Sequence, residues 1–102
     1  MAIVEVSIAP LGTANPSVSA YVAECLRILR DSGLKHQLNP MGTVIEGDLD
    51  EILAVIAKMH EAPFAKGVSR VSTLIKIDDR RDSESHSMRG KVAVVTKLLD
   101  DS

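Results

Sequence analysis

The sequence predicts an α+β domain with the element order β-α-β-β-α-β, followed by a C-terminal helix. Apolar and polar residues alternate in four short segments, and apolar residues recur every three or four positions in two longer ones. Glycine or proline separates most of these segments. A chain of 102 residues has room for one domain, so residues 1–102 are assigned to a single unit.

The four predicted strands are short and alternate in polarity. In the first, "AIVEVSIAP", Val4, Val6 and Ile8 alternate with Glu5 and Ser7. The stretch "LKHQLNPMGTVIEG" reads as a hairpin, with two strands joined by the turn "NPMG". The segment "RVSTLIKID" supplies the fourth strand. Together these segments predict one sheet with a buried face.

The two longer segments have helical spacing. "NPSVSAYVAECLRILRDSG" carries an apolar stripe that includes Cys25 and Leu29, and Gly33 fits its left-handed exit. "DLDEILAVIAKMHEA" begins with a capping-box-like pair, Asp48 and Glu51. The closing segment "KVAVVTKLL" suits a strand by its valines and a short helix by its spacing. We predict a helix there.

Right-handed crossovers place the strands in the order 4-1-3-2, antiparallel throughout, with both long helices on one face. This arrangement is ferredoxin-like. Two interpretations stay open for the other face: a solvated surface, or a surface that a second subunit covers around a small polar pocket. The apolar residues Val44 and Leu74 favour coverage. The residues expected on this face are Glu5, Ser7, Val44, Glu46, Ser72, Leu74, Lys76 and Asp78.

A second group of polar residues is expected at one rim of the sheet, beside the start of the first helix. Free backbone N–H groups at a helix N-terminus suit an anion or a polar ligand. For Ser17 and Ser19 taken alone, simple capping of the helix is the favoured alternative. The rim group consists of Thr13, Ser17, Ser19, Gly42, Thr43, His60, Glu61 and Arg70.

Composition narrows the classes of function. The chain is 2% aromatic with a formal net charge of −2, which counts against binding of single-stranded or duplex nucleic acid. His36, His60 and His86 fall on different predicted segments, so we expect no metal site. No catalytic motif or cofactor-binding loop is present in the sequence, so no catalytic residue or cofactor is assigned. The lone Cys25 and the lack of a membrane-length apolar run predict a cytoplasmic, non-membrane protein.

The fourth strand ends in "KIDDRRD", where six of seven side chains are ionisable and the charges cancel. Such a segment suits contact with its own copy across a two-fold axis, with arginines of one chain against aspartates of the other. The alternative is an exposed charged end that discourages edge aggregation. We predict an oligomer interface made of Lys76, Asp78, Asp79, Arg80, Arg81 and Asp82.

Five blocks, "APLGT", "SVSAYVAECL", "MGTVIEG", "HEAPFAKG" and "RVSTLIKIDDRRD", resemble the thiamine-binding-protein family. The resemblance implies a ferredoxin-like fold and assembly into dimers and tetramers through the sheets. It also implies binding of thiamine or its hydroxymethylpyrimidine portion, as in some members, without an established catalytic activity. Thr43 and Glu46 match the "MGTVIEG" block, and residues 76–82 match the charged block.

An aminopyrimidine presents a ring nitrogen and an exocyclic amine, which a carboxylate and a hydroxyl can pair. In this hypothesis Glu46 meets the ring nitrogen, Thr43 or Ser7 meets the amine, and Glu5 offsets a thiazolium charge. The predicted ligand-binding residues are Thr43, Glu46, Ser7, Glu5, Thr13 and Ser19.

The leading hypothesis for function is a non-catalytic binding protein for a thiamine-like pyrimidine, assembled as a homotetramer or dimer. One alternative is an interaction protein whose homo-oligomer is itself the function. The other is an enzyme acting on a small heteroaromatic substrate, with His60 or Glu46 as the acid or base.

Overall fold

The computed structural model describes residues 1–12, 19–82 and 88–101. The four strands, numbered along the chain, form one antiparallel sheet in the order 2-3-1-4, which confirms the predicted order 4-1-3-2. The closing segment is a helix, as predicted. The predicted start of the first helix, before Ser19, lies outside the described residues. The elements are β1 (Ala2–Leu11), α1 (Ser19–Ser32), β2 (Lys35–Asn39), β3 (Gly42–Gly47), α2 (Leu49–Ala65), β4 (Arg70–Asp79) and α3 (Met88–Asp100).

The core lies between the sheet and the pair α1 and α2. Alternation along β1 turns Ala2, Val4 and Val6 to this side, and the register sets Val4 beside Ile45 of β3. The matching helix residues fall at three- and four-residue spacing, as an amphipathic helix requires. They are Cys25 and Leu29 of α1 and Ile52, Ile56 and Met59 of α2.

The helix ends follow the residues that the sequence marks. The carboxylate of Asp48 accepts a hydrogen bond from the Asp50 N–H at 3.3 Å and so caps α2. Gly33 and Gly67 have φ values of +78° and +91°, so each takes the left-handed exit. Pro63 does not end α2, which continues to Ala65. Its last turn tightens instead, because the Lys66 N–H donates to the Pro63 carbonyl at 3.0 Å.

The opposite face of the sheet, called the open face below, carries the start of α3. The Met88 N–H donates to Glu46 Oε2 at 2.8 Å, and Lys91 pairs with Asp78. Beyond this anchor, every residue of α3 from Lys91 to Asp100 is exposed. Among the described residues, no helix is long and apolar enough to cross a membrane.

Candidate functional site

A cleft of about 860 Å³ opens at the rim of the sheet between α1 and the β2–β3 hairpin. We call it the rim cleft. Its walls include Val22 and Leu26 from α1 and Leu38 and Met41 from the hairpin. The core residue Met59 closes it on the α2 side. The cleft exists because α1 begins beside the sheet end where β1 leaves the core and the hairpin turns.

The polar groups of the rim cleft are few and uncharged. Thr43 is buried and lies on the helix-covered side of the sheet, since it pairs with the core residue Val6. Ser7, Ser19 and Asn39 also line the cleft. Among the described lining residues there is no Asp, Glu, Lys, Arg or His. The cleft therefore offers hydroxyl and amide groups to a ligand within a mostly apolar wall.

Cys25 contributes a buried thiol to the wall of the cleft. Its Sγ donates to the Met59 carbonyl oxygen at 3.5 Å, which joins α1 to α2. Burial, reinforced by the neighbouring Glu24 carboxylate, raises the pKa of Cys25 above its ordinary value. The thiol is therefore protonated and weakly nucleophilic at neutral pH.

Glu46 lies on the open face, away from the rim cleft. Its Oε1 is 3.1 Å from the ammonium of Lys35, and its Oε2 accepts the Met88 N–H. Burial opposes ionisation of this carboxyl. The Met88 hydrogen bond, the Lys35 ammonium and the Arg89 guanidinium outweigh burial and lower the pKa of Glu46. Both carboxylate oxygens are thus engaged within the chain, where they hold β2 and α3 to β3.

The structure brings together three of the six predicted ligand-binding residues. Ser7, Ser19 and Thr43 all line the rim cleft, although strand alternation places the Ser7 side chain on the same side of the sheet as Glu5. Glu5 and Glu46 belong to the open face. A ligand in the cleft cannot contact Thr43 and Glu46 together. Thr13 lies outside the described residues, and the assignment of each residue to a ligand stays a prediction.

Gly42 of the expected rim group also lines the cleft, whereas His60, Glu61 and Arg70 do not, and Ser17 lies outside the described residues. His60 Nδ1 shares a hydrogen bond with Thr73 Oγ1 at 2.6 Å, and its ring packs edge-on against Phe64 at 5.5 Å. The hydrogen bond holds α2 to β4, and the ring contact lies within α2. The described residues do not place three His, Cys, Asp or Glu side chains together as a metal site needs.

The charged end of β4 forms ion pairs within the chain. Arg80 Nε donates to Asp82 at 2.7 Å, and the Arg81 guanidinium donates to Asp79 at 2.8 Å. These hydrogen bonds raise the pKa of both arginines. Lys91 pairs with Asp78 in the same region. The predicted pairing of these residues between two copies stays a prediction, and both guanidinium groups are exposed.

The apolar walls of the cleft are the part that sequence reasoning missed. The helical stripe predicts that Cys25 lies in the core. The hairpin pattern assigns no part of a binding site to Leu38 or Met41. Met41 could have indicated the cleft, because it is a large apolar residue in a hairpin turn, where no predicted core residue packs against it. It is 88% exposed at the mouth of the cleft.

The fold and the cleft together define a small ferredoxin-like domain with a site of ligand size. The chain belongs to the thiamine-binding protein family, whose sequence profile it matches over residues 4–96. The resemblance found in the sequence blocks is thereby confirmed.

Relatives match along nearly the whole chain. The UPF0045 protein YqgV of Bacillus subtilis is 50% identical over 103 residues, which cover 97% of this chain and 98% of that protein. A UPF0045 protein of Methanothermobacter thermautotrophicus is 40% identical over 96 residues, covering 93% of this chain and 96% of the relative.

Solved structures share the fold. A Methanocaldococcus jannaschii protein superposes with a TM-score of 0.82 at 40% identity, covering 93% of this chain and 95% of the other. A Thermotoga maritima protein described as a candidate for thiamine biosynthesis or salvage has a TM-score of 0.77. Its identity is 16%, over 92% of this chain and 97% of that one, so it supports the fold alone.

Proposed function

We propose that this chain is a non-catalytic protein that binds a thiamine-like pyrimidine in the rim cleft and works as a homo-oligomer. The observation that carries the proposal is the cleft itself. Its volume of about 860 Å³ falls within the range of small-molecule sites. Membership in a thiamine-binding family supports a ligand of this class.

The cleft walls suit the flat face of a pyrimidine ring. Tyr21 and Phe64 are the two aromatic residues of the chain, and neither lines the cleft. The ring would instead pack on Leu26, Leu38 and the thioether of Met41, and a methionine sulfur contacts aromatic rings favourably.

The hydroxyl groups suit the edge of the ring. A ring nitrogen accepts a hydrogen bond and an exocyclic amine donates one, and the hydroxyls of Thr43 and Ser19 can do either. Because Thr43 is buried on the cleft side, we assign it the central polar contact. Ser19, at the exposed start of α1, contributes nearer the mouth.

The described lining residues carry no charge, and this favours binding of an uncharged part of the ligand inside the cleft. Moving a cation or a phosphate into an apolar site without a partner is costly. We therefore place the uncharged pyrimidine portion inside and any thiazolium or phosphate at the mouth. Glu5 and Glu46 cannot offset that charge from inside the cleft, because they lie on the open face.

A non-catalytic role is supported by the positions of the two candidate acid/base groups. Glu46 is engaged with Lys35 and Met88, His60 is engaged with Thr73, and neither lines the cleft. The buried, reduced Cys25 agrees with a cytoplasmic location, which we propose as well.

Thermal-shift measurements with hydroxymethylpyrimidine, thiamine and thiamine phosphates test the proposal. A ligand at 100 times its dissociation constant adds about 2.7 kcal/mol of stability. We expect the largest shift per unit concentration from hydroxymethylpyrimidine and the smallest from the phosphates. Chromatography should recover every ligand unchanged. No shift with any pyrimidine contradicts the binding function, and turnover contradicts its non-catalytic character.

A pair of matched variants locates the site. Ala23 and Ala57 are exposed alanines on α1 and α2, and Ala23 lines the rim cleft whereas Ala57 does not. Ala23→Trp should fill the cleft and abolish the shift, while Ala57→Trp should leave it intact. Equal binding by both variants would place the ligand elsewhere.

A further inference from the structure

The exposed surface of α3 is apolar although little of its own chain covers it. Its valines and leucines from Val92 to Leu99 are between 57% and 69% exposed. A helix of 13 residues is marginal in water when it has no packed face. The anchor at Met88 and Lys91 fixes the first turn and leaves the apolar residues beyond it in solvent.

These side chains form a narrow stripe suited to a helical partner. Met88, Val92, Val95 and Leu99 follow one another at spacings of four, three and four residues, the a/d pattern of a two-helix seam. Met88 and Val92 also border a groove of about 730 Å³ between α3 and Gln37 of β2. The stripe is thus continuous with a groove that leads to the open face.

The charges at the two ends of α3 oppose its dipole. Arg89 and Lys91 lie in the first turn, where positive charge is unfavourable, and Asp100 and Asp101 lie at the end, where negative charge is unfavourable. Glu46 and Asp78 of the sheet compensate the first turn, and Lys97 is the basic residue of the last turn. An antiparallel second helix would set its basic start beside the acidic end.

We propose that α3 pairs antiparallel with α3 of a second copy of this chain, across a two-fold axis that passes between Val92 and Val95. Val92 of each copy then meets Val95 of the other, and Met88 meets Leu99, so the stripe packs against itself. The pairing rests on the homo-oligomer of the proposed function and adds a surface separate from the charged end of β4.

Two matched variants test the seam. Val94 and Val95 are adjacent and almost equally exposed, at 60% and 57%, but Val94 lies off the stripe. Light scattering after size exclusion should give wild type and Val94→Lys the same mass, above that of one chain. Val95→Lys should weaken self-association roughly thirtyfold or more, the loss typical of a central apolar interface residue. Circular dichroism checks that both variants stay folded.

Cross-linking supplies a positive readout. Val92→Cys combined with Val95→Cys should form an interchain disulfide on mild oxidation, since these two positions lie opposite each other across the axis. Ala93→Cys combined with Val94→Cys, at two positions off the stripe, should not. Each variant keeps the buried Cys25, so the pair also controls for that thiol.

Several outcomes overturn the pairing. These are a wild type with the mass of one chain, equal masses for the two lysine variants, or equal cross-linking of the two cysteine variants. A monomer that sediments with anionic lipid vesicles would assign the stripe to a membrane surface instead. Pyrimidine binding is measured separately on each variant, so loss of the ligand and loss of the pairing are distinguishable.

Discussion

Thr43 and Glu46 are both buried polar residues of one short strand, 6% and 8% exposed, yet they serve opposite faces of the sheet. Glu46 faces Lys35, Met88 and Arg89 of its own chain, which engage both of its oxygens. Thr43 faces a cleft of ligand size. A buried polar residue is therefore a poor guide to a binding site until its partners are known.

The difference has a physical origin in the two faces. On the open face, a carboxylate can stay ionised under α3 because backbone N–H and cationic groups surround it. On the helix-covered face, the neighbours are aliphatic, so only a small neutral group such as a hydroxyl fits without a charged partner. Under the proposed function, the first face supplies stability and the second supplies selectivity for an uncharged ligand.

The largest effect should follow removal of the Glu46 carboxylate. Glu46→Ala should lower the free energy of unfolding by about 2 kcal/mol, because hydrogen bonds to a charged group are lost and α3 loses its anchor. Pyrimidine affinity should not change. Urea unfolding and titration calorimetry measure the two quantities. Glu5→Ala, an exposed carboxylate of the same face, serves as the control and should change stability by less than about 0.5 kcal/mol.

The opposite result, weaker ligand binding with unchanged stability, is expected when Thr43 is substituted. Thr43→Val should weaken pyrimidine binding roughly tenfold through the loss of one neutral hydrogen bond, with little change in the free energy of unfolding. Thr73→Val, on the same face but paired with His60, is the matched control and should bind normally. If Glu46→Ala weakens binding as much as Thr43→Val does, the division between the faces is wrong.

A smaller effect should appear at acid pH. Because the folded protein lowers the pKa of Glu46 below its ordinary value of 4.5, this group stabilises the fold above that pH. The stabilisation is lost as the pH falls through the lower, folded-state pKa. Urea midpoints measured from pH 7 to pH 3 should therefore fall further for wild type than for Glu46→Gln. Parallel curves would show that Glu46 has no such role.

The smallest effect on stability is expected at the charged end of β4. Its intrachain pairs are exposed, so the double reversal Arg80→Glu and Arg81→Glu should leave the urea midpoint of unfolding nearly unchanged. It should nevertheless lower the oligomeric mass measured by light scattering, if these arginines also bridge two copies. An unchanged mass would leave the strand end with its intrachain pairs only.

The strands and both long helices could be predicted, because alternation, helical spacing and glycine exits act over a few residues. The right-handed crossover rule then predicted the sheet order. The faces of β3 were equally within reach: Thr43 and Glu46 are an odd number of positions apart, so they must point to opposite sides. Both residues were nevertheless assigned to one ligand, because both belong to the "MGTVIEG" block, and their opposite orientation was not taken into account.

The rest depends on contacts between distant segments. Nothing near Glu46 indicates that Met88, 42 positions later, donates to its carboxylate. The rim cleft likewise arises where α1, β1 and the hairpin meet. The apolar stripe of α1 does not reveal whether the helix packs closely against the sheet or leaves a cleft beside it. Local patterns determine which elements form, whereas the space left between them depends on how they dock.

Chemical labelling of Cys25 can be used to follow occupancy of the rim cleft. It is the chain's single cysteine, it lines the rim cleft, and its thiol bridges α1 to the Met59 carbonyl. The thiol is buried and its raised pKa keeps the thiolate scarce, so alkylation of the folded protein should be slow. The labelling rate of the unmodified protein therefore reports how accessible the cleft wall is, and a ligand in the cleft should lower that rate.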